Sequence, residues 1–497
     1  MNERISNSVP KSIAIIGGGT AGWMSAILLK SHWVNTRVIL IESPDVPVIG
    51  VGEGSTPALK YFFQSLNIDE KEWMQRCNAT YKVGIQFPNW STVQGYESYF
   101  HPFFSALDSQ TSTAFVKQAK KWRQGERVNV LPDNFFVAAS LAKKHKAIIT
   151  KKPLPIELDY GYHFDSALLG DYLKEKSIER GVIYQEATVD SVIHSDKNID
   201  SLVLDTKQTV TAELFVDCTG FSGVLVNKAL KRDFHSYSDM LFNDAAVAIQ
   251  TPKVTEQLES KTISAAMSCG WRWQIPLRNR DGNGYVYSSK YLSSDEAEHE
   301  LRSLLPEQGK GCHARHIKMR VGRLNEHFLG NCLAVGLSQG FIEPLEATAL
   351  MLVQYTVMSY INGVENEYSA EKLNKKINDQ FDSVRDYVVC HYKINSKEGK
   401  YWQDCRENNS ISANLNAILQ AWTSSGDFES SYKELLGDSA YAKASWYSIL
   451  CGMGLSDLDI EAGTTLDSLA TKALAYCEDT ADLFIDQAEL FASDNTQ

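Results

Sequence analysis

The sequence predicts an α/β fold in which a glycine-turned strand–helix unit opens the chain, a sheet region is interleaved, and a helical unit closes it. Three observations carry this. Residues 11–33, KSIAIIGGGTAGWMSAILLKSHW, pass from an apolar run through clustered glycines into a pattern of helical period. The stretch from about 240 to 320 reads mostly as sheet, and within it GWRWQIPL (270–277) alternates bulky and polar side chains. From about 345 onward the pattern is helical, broken by turns near 394–400, 424–427 and 452–456.

The elements follow in order. Ile13–Ile16 make the first strand, and an amphipathic helix starts after Gly19. Residues 37–42, RVILIE, form a second strand that ends on Glu42. In VGEGSTPALKYFFQSLN (51–67) a loop leads into a helix, with Ser55 or Thr56 as cap and Pro57 at the first helical position. In YGYHFDSALLGDYLKEKSIERG (160–181) Asp165 caps a helix that Gly181 ends. Strands are expected at 183–194, 200–205 and 212–218. The strand GWRWQIP puts Trp271 and Trp273 on one face, Arg272 and Gln274 on the other, and stops after Ile275 at Pro276. Two indoles on one face either fill a core or screen a site, and periodicity alone leaves both open.

Composition narrows the class. A net charge of −12 argues against a nucleic-acid or anionic-membrane partner, both of which need a basic face. No apolar run approaches the ~20 residues of a spanning helix, and the N-terminus lacks the layout of a signal peptide. Nine cysteines without a C-x-x-C pair suit reduced thiols and a cytoplasmic location, and Cys218 and Cys332 sit in apolar runs as buried hydrophobes. No His/Cys/carboxylate set has metal-ligand spacing, so no metal is expected; His313 and His316 read as surface residues.

Gly17, Gly19 and Gly22 form G-x-G-x-x-G around Thr20 and Ala21, between a strand and a helix. The first glycine permits the tight turn, the second lets the backbone approach a pyrophosphate, and the third allows close helix–strand packing. Glu42, twenty residues past Gly22, can bind ribose hydroxyls and would repel a 2′-phosphate. The dinucleotide reads as FAD. NCLAVGLSQGFIEPLEATAL (331–350) offers a strand at Leu333–Val335 and a small-residue turn at Gly336–Gly340 that brings Gly336 and Leu337 beside a ribityl chain and ring. LFVDCTGFSG (214–223) is a further apolar strand ending in a glycine turn, and Gly52 and Ser55 are assigned to the cofactor as well. No second G-x-G-x-x-G is present to hold a nicotinamide, so the flavin must be reduced elsewhere.

W-x-W-x-I-P (Trp271, Trp273, Ile275, Pro276), with GGGTAGW, VGEGSTP, TYKVGIQF, HPF, YHFD and EPLEATA, resembles the flavin-dependent tryptophan halogenase family from Gly17 to about Gly454. The resemblance implies a Rossmann-type FAD domain of the aromatic-hydroxylase-like kind over 1–355, with the sheet region interleaved, and a mainly helical substrate-covering region over 356–497. It also implies a two-component reaction. A separate flavin reductase supplies FADH2, O2 and chloride or bromide yield hypohalous acid, and the oxidant travels through a tunnel to an aromatic ring held apart from the flavin. Trp271, Trp273, Ile275 and Pro276 would then screen that passage.

The resemblance also gives the site residues. Lys82, in ATYKVGIQF, matches the family's catalytic lysine; without the match it reads as a snorkelling surface lysine. It acts either as a covalent haloamine or as a hydrogen-bond donor to hypohalous acid. Deprotonating an ordinary lysine (pKa ~10.4) at neutral pH costs roughly 4–5 kcal/mol, which favours the ammonium donor. Glu346 matches the glutamate opposite the lysine and would orient the oxidant and balance the proton lost from the ring, with Glu343 as its competitor. Thr348 and Ala349 match the halide-binding segment, although Ala347-Thr348-Ala349 stands where relatives often have Ser-Thr-Gly.

His101, Pro102 and Phe103 reproduce the HPF that sandwiches an indole, and Tyr441 and Trp446 join them from the C-terminal unit. Counting back from WYSILCGMG puts Ala440-Tyr441 at the family's Phe-Trp, Leu436 at its glutamate and Glu429-Ser430 at its tyrosine pair. The groups that grip free tryptophan are therefore missing, and indole or another electron-rich aromatic is the expected substrate. A homodimer is compatible with the sequence. The competing readings are a single-component FAD-dependent aromatic hydroxylase and a non-catalytic flavin-binding protein.

Overall fold

The computed structural model describes residues 5, 8–45, 53–154, 156–424, 426–436, 439–455 and 463–494. The opening strand, Ser12–Ile16, lies inside a six-stranded sheet. Arg37–Glu42 and then Ile183–Glu186 lie on one side of it; Leu214–Asp217, Cys332–Ala334 and Phe328–Leu329 lie on the other. Every pairing is parallel except the terminal hairpin Phe328–Leu329/Cys332–Ala334. Strands covered on both faces must be apolar almost throughout, and the inner runs of SIAII, RVILIE and LFVD are buried accordingly. Helices Thr20–His32 and Ser166–Glu179 pack together on this sheet, with Ala349–Glu365 against the first. Ligands of such sheets collect at the carboxyl ends of the strands. Those ends are Gly17, Glu42, the turn at Gly220 and the turn at Gly336.

The second sheet has seven strands, in the order Ala314–Lys318, Ala245–Pro252, Arg280–Tyr287, Gly270–Pro276, Lys261–Ala266, Gly84–Pro88 and Ser98–Pro102. The region 240–320 supplies five of them, with a helix at Ser294–Ser303. The other two come from far upstream, Gly84–Pro88 running parallel to Lys261–Ala266. This non-local pairing brings the lysine and HPF segments to the tryptophan strand. Trp271 and Trp273 are both buried on one face, 6.2 Å apart, while Arg272 and Gln274 are half-buried on the other. Trp273 lies opposite Gly284, where a Cβ would come within 1.9 Å of the indole, so the glycine makes the room the ring occupies.

Three expectations change. The run 183–194 is not one strand: Ile183–Glu186 belongs to the first sheet, and Val189–Ser195 pairs with Asn198–Leu204 in another. The C-terminus is not helical throughout, because Phe484–Asp486 returns as a strand onto Lys146–Thr150. A boundary at 355/356 falls inside the helix Ala349–Glu365, and one hydrophobic core joins Ile13 to Phe491, so the helical part is packed into the α/β unit. Asp165 caps its helix as read, accepting from the amides of Ala167 and Leu168; the earlier helix instead begins at Ala58 with Pro57 at the N-cap position and no side-chain cap, Thr56 Oγ1 only accepting from Ala58 N. Among the described residues, no helix is long and apolar enough to cross a membrane and no His/Cys/Asp/Glu cluster could hold a metal ion.

Candidate active site

The three motif glycines do three different jobs. Gly17 has φ +108°, and a Cβ there would lie 2.3 Å from the Cys218 carbonyl. A Cβ on Gly22 would lie 1.9 Å from the Gly17 carbonyl, so its absence lets helix and strand touch. Gly19 faces open space, with nothing within 4 Å of the built Cβ, at the start of the 13-residue helix Thr20–His32. Gly220, φ +65°, faces open space too. A bare backbone at a long helix N-terminus is what a pyrophosphate needs, and these residues fit FAD. Glu42 stands at the end of the second strand and pairs with Lys174 at 3.1 Å. Thr20 is buried and Ala21 touches the other glycine turn, since a Cβ on Gly336 (φ +74°) would meet Ala21 Cβ at 2.8 Å. Leu337 follows in that turn, half-buried. Gly52 lies outside the described residues. Ser55 is tied to the lysine's strand neighbours: its Oγ accepts from Tyr162 N and its carbonyl from Lys82.

Lys82 ends the short strand Thr80–Lys82 and has no exposed surface. Its Nζ donates to Ser55 O at 3.2 Å and stands 5.3 Å from the Phe103 ring centroid. Burial pulls its pKa from 10.5 down to about 7, against the opposing charge of Glu346. The expected cost of deprotonation has thus been met by the fold, and amine and ammonium are nearly balanced at neutral pH. His163, of the YHFD segment, is buried nearby; burial and the Lys82 charge push it well below its ordinary range, so it is neutral. A Cβ on Gly54 would lie 3.3 Å from Lys82 Nζ, so this backbone passes close to the amine.

Glu346 and Glu343 sit in one tight turn and face different partners. Glu343 is fully buried and bonds away from the lysine: its Oε2 accepts from Trp271 Nε1 (2.7 Å), Tyr392 OH (2.6 Å) and Asn243 Nδ2 (3.0 Å). It anchors the tryptophan strand. Glu346 is the carboxylate whose charge reaches Lys82. Its Oε2 is 2.9 Å from His101 Nδ1 and its Oε1 is 3.3 Å from His391 Nε2. Burial alone would raise this carboxyl, but the charge and hydrogen bond of His101 hold it below the usual carboxylate range. His391 was missed in the sequence: it lies in VVCHYK on the long helix Ala370–Lys393 and looks like a core residue. A polar ring four residues after Tyr387 on a buried helix face was the available signal.

The HPF segment splits. His101 is tied to Glu346, and its ring lies 5.7 Å from Tyr387 and 6.3 Å from Phe104. Pro102 pairs with Gly84 at the strand edge, and Phe103, half-buried, faces Lys82. From the helical part, Tyr441 stacks on Tyr387 at 3.7 Å and Trp446 meets the same ring edge-on at 5.0 Å. Tyr387 is therefore the aromatic hub that joins Tyr441 and Trp446 to His101. Leu436 is buried, and Glu429 is committed to Lys120 (2.9 Å) and Lys443 (3.3 Å). Ala347 has φ +57°, a left-handed conformation that costs an ordinary residue ~1–2 kcal/mol, and turns the chain into the helix that begins at Ala349 after buried Thr348. Amides of such a first turn have no intrahelical acceptor and suit an anion.

Comparison with known proteins identifies the family. The sequence model of the tryptophan halogenase family matches residues 12–463. The 7-chloro-L-tryptophan 6-halogenase KtzR of Kutzneria sp. (strain 744) is 32% identical, over 94% of this chain and 96% of its own. The tryptophan 7-halogenase RebH of Lentzea aerocolonigenes is 32% identical, with 89% of each covered. Among solved structures, Tar14, a tryptophan C-6 flavin-dependent halogenase (chlorinase) from taromycin biosynthesis, superposes with a TM-score of 0.84 at 30% identity, over 97% of this chain and 99% of that one. A phosphate cradle fit for FAD, a buried lysine and a buried glutamate thus sit in a chain that resembles these enzymes from end to end: it belongs to the tryptophan halogenase family and is a flavin-dependent halogenase using FADH2, O2 and halide.

Proposed function

We propose that Lys82 and Glu346 aim hypohalous acid at a neutral indole-type or other electron-rich aromatic ring. The bound flavin supplies the oxidising power when a reductase delivers it reduced. Gly17, Gly19 and Gly22 seat its pyrophosphate, Glu42 its ribose, and the Gly336–Leu337 turn approaches its ring. Thr348 and Ala349 offer the halide their amides. Trp271 and Trp273, with Ile275 and Pro276, keep the organic ring away from the flavin. Lys82 donates a proton through its ammonium to the oxygen of the oxidant, and Glu346 receives the proton that the ring loses. Phe103, Tyr441 and Trp446 hold the ring, with His101 orienting Glu346. Nine unpaired thiols support a reducing, cytoplasmic setting.

The observation that carries this reading is a lysine with no exposed surface, facing an aromatic ring and feeling a buried carboxylate. Neither group serves folding well, since buried charge is expensive. The test is an assay with reductase, FAD, bromide and indole read by mass spectrometry. Halogenated indole is the expected product, and its absence from Lys82→Ala at unchanged flavin binding supports the assignment.

Two further outcomes follow. Leu436 and the ion-paired Glu429 offer nothing to an ammonium or carboxylate. A buried charge left without partners loses ~1–3 kcal/mol or more per contact. Indole is therefore expected to exceed L-tryptophan in kcat/KM by about tenfold or more; faster turnover of tryptophan contradicts the reading. For pH, the folded Lys82 holds its proton only below about 7. If the ammonium is the working form, kcat at saturating FADH2 falls as pH rises through that value. A rate that climbs over the same interval indicates the free amine.

A further inference from the structure

We propose that His391 is the second station of the proton that leaves the aromatic ring: Glu346 Oε1 takes it from the ring carbon, and His391 Nε2 then holds it. This rests on the role given to Glu346 above.

His391 has no exposed surface and is packed against Phe87, Trp90 and Tyr387. Its Nδ1 lies 3.0 Å from the Tyr387 carbonyl. A carbonyl only accepts, so Nδ1 carries the hydrogen. Its Nε2 lies 2.9 Å from Tyr99 OH. The Tyr99 phenol keeps its proton, since burial and the Glu346 charge raise its pKa well above the ordinary value. A buried phenol needs an acceptor, and Nε2 is the one it meets. Both contacts therefore select the neutral ring with a lone pair on Nε2.

That lone pair faces Glu346 Oε1 at 3.3 Å, and Oε1 is buried without a hydrogen bond. The two oxygens of Glu346 are unlike: Oε2 is occupied by His101, while Oε1 stands empty beside a base. A proton arriving on Oε1 turns a repulsive contact into a hydrogen bond. Transfer onto Nε2 then leaves an imidazolium paired with a restored carboxylate, and the Tyr99 hydroxyl turns away.

The step balances. Hypohalous acid and an aromatic C–H become an aromatic C–halogen bond and water. The oxygen–halogen bond breaks, and the hydroxyl leaves with a proton from Lys82. The ring C–H bond breaks, its electron pair restores aromaticity, and its proton goes through Glu346 to His391. The lysine loses one positive charge as the histidine gains one, so the net charge of the site is unchanged. The proton on His391 returns to Lys82 through the product water.

The experiment compares indole with indole deuterated at every ring carbon, in the wild type, His391→Gln and His391→Phe. Flavin binding and thermal midpoint are checked alongside, and the phenylalanine preserves the aromatic packing. In the wild type, deuterium is expected to leave kcat within about 1.2-fold, because electrophilic attack precedes a fast proton loss. In both variants kcat should fall about 10- to 100-fold, KM for indole should stay within about twofold, and deuterium should slow turnover about twofold or more. A fall in kcat without an isotope effect, or a rise in KM alone, assigns His391 a packing role and overturns the relay. A wild type that halogenates no ring removes the parent reading first. Independently of turnover, ring-nitrogen NMR of the wild type should show His391 neutral with hydrogen on Nδ1. An imidazolium at rest overturns the proposal, because Nε2 would have no vacancy.

Discussion

Lys82→Met should abolish halogenation and make the protein more stable. The side chains are similar in length, so the core is not opened. A fall in the lysine's pKa from 10.5 to about 7 corresponds to about 4–5 kcal/mol of folding free energy, at about 1.4 kcal/mol per tenfold change in proton affinity. The sign follows from the unfolded chain binding the proton more tightly. The penalty is fully present below pH 7, fades as pH rises, and is gone above the ordinary lysine value. Part of the gain is returned because Glu346 loses a counter-charge. We therefore expect urea unfolding at pH 7 to show about 2–4 kcal/mol more stability, with the difference shrinking toward pH 10. Product formation should fall about 10³-fold or more, the scale of losing a positioned proton donor. A variant that is less stable and still halogenates would remove the lysine from the mechanism.

Glu346→Gln should cost about 10²- to 10⁴-fold in product formation, with FAD binding unchanged. It carries a second signature. The Glu346 charge supports the ammonium form of Lys82; without it the lysine gives up its proton more readily. The break in the pH–rate profile should therefore move to lower pH, measured on residual activity or by titrating the amine directly by NMR. A break that stays in place would mean the two groups do not feel one another.

Much of the cofactor site was legible because its determinants are local. Gly17, Gly19, Gly22 and Glu42 lie within one strand–helix–strand unit, and each stands at the turn or strand end where its spacing puts it. The tryptophan strand was legible for the same reason, since period two survives in the buried face of Gly270–Pro276. What period two left open, core or screen, has a compound answer. The indoles are core residues, and Trp271 is also hydrogen-bonded to the turn that carries Glu346.

Lys82 is a different case. Its residue type argues for a surface position, and only the family resemblance marked it. The fold buries it by pairing Thr80–Lys82 with Gly161–Phe164 and bringing Ser55 and Phe103 against its amine, contacts between separate segments that no local pattern announces. His391 was illegible for the same physical reason. Its meaning comes from Tyr99 and Glu346, which reach it from two other elements, while its own helix supplies apolar neighbours. Tyr387 likewise gains its role only where Tyr441, Trp446 and His101 converge.

Turnover under ¹⁸O2 shows whether the aromatic ring ever reaches the flavin. With reductase, FAD, bromide and indole, brominated indole free of ¹⁸O is expected, and no labelled organic product when bromide is omitted. Indole hydroxylated with ¹⁸O, at a rate matching flavin oxidation, would contradict the separation of ring and flavin.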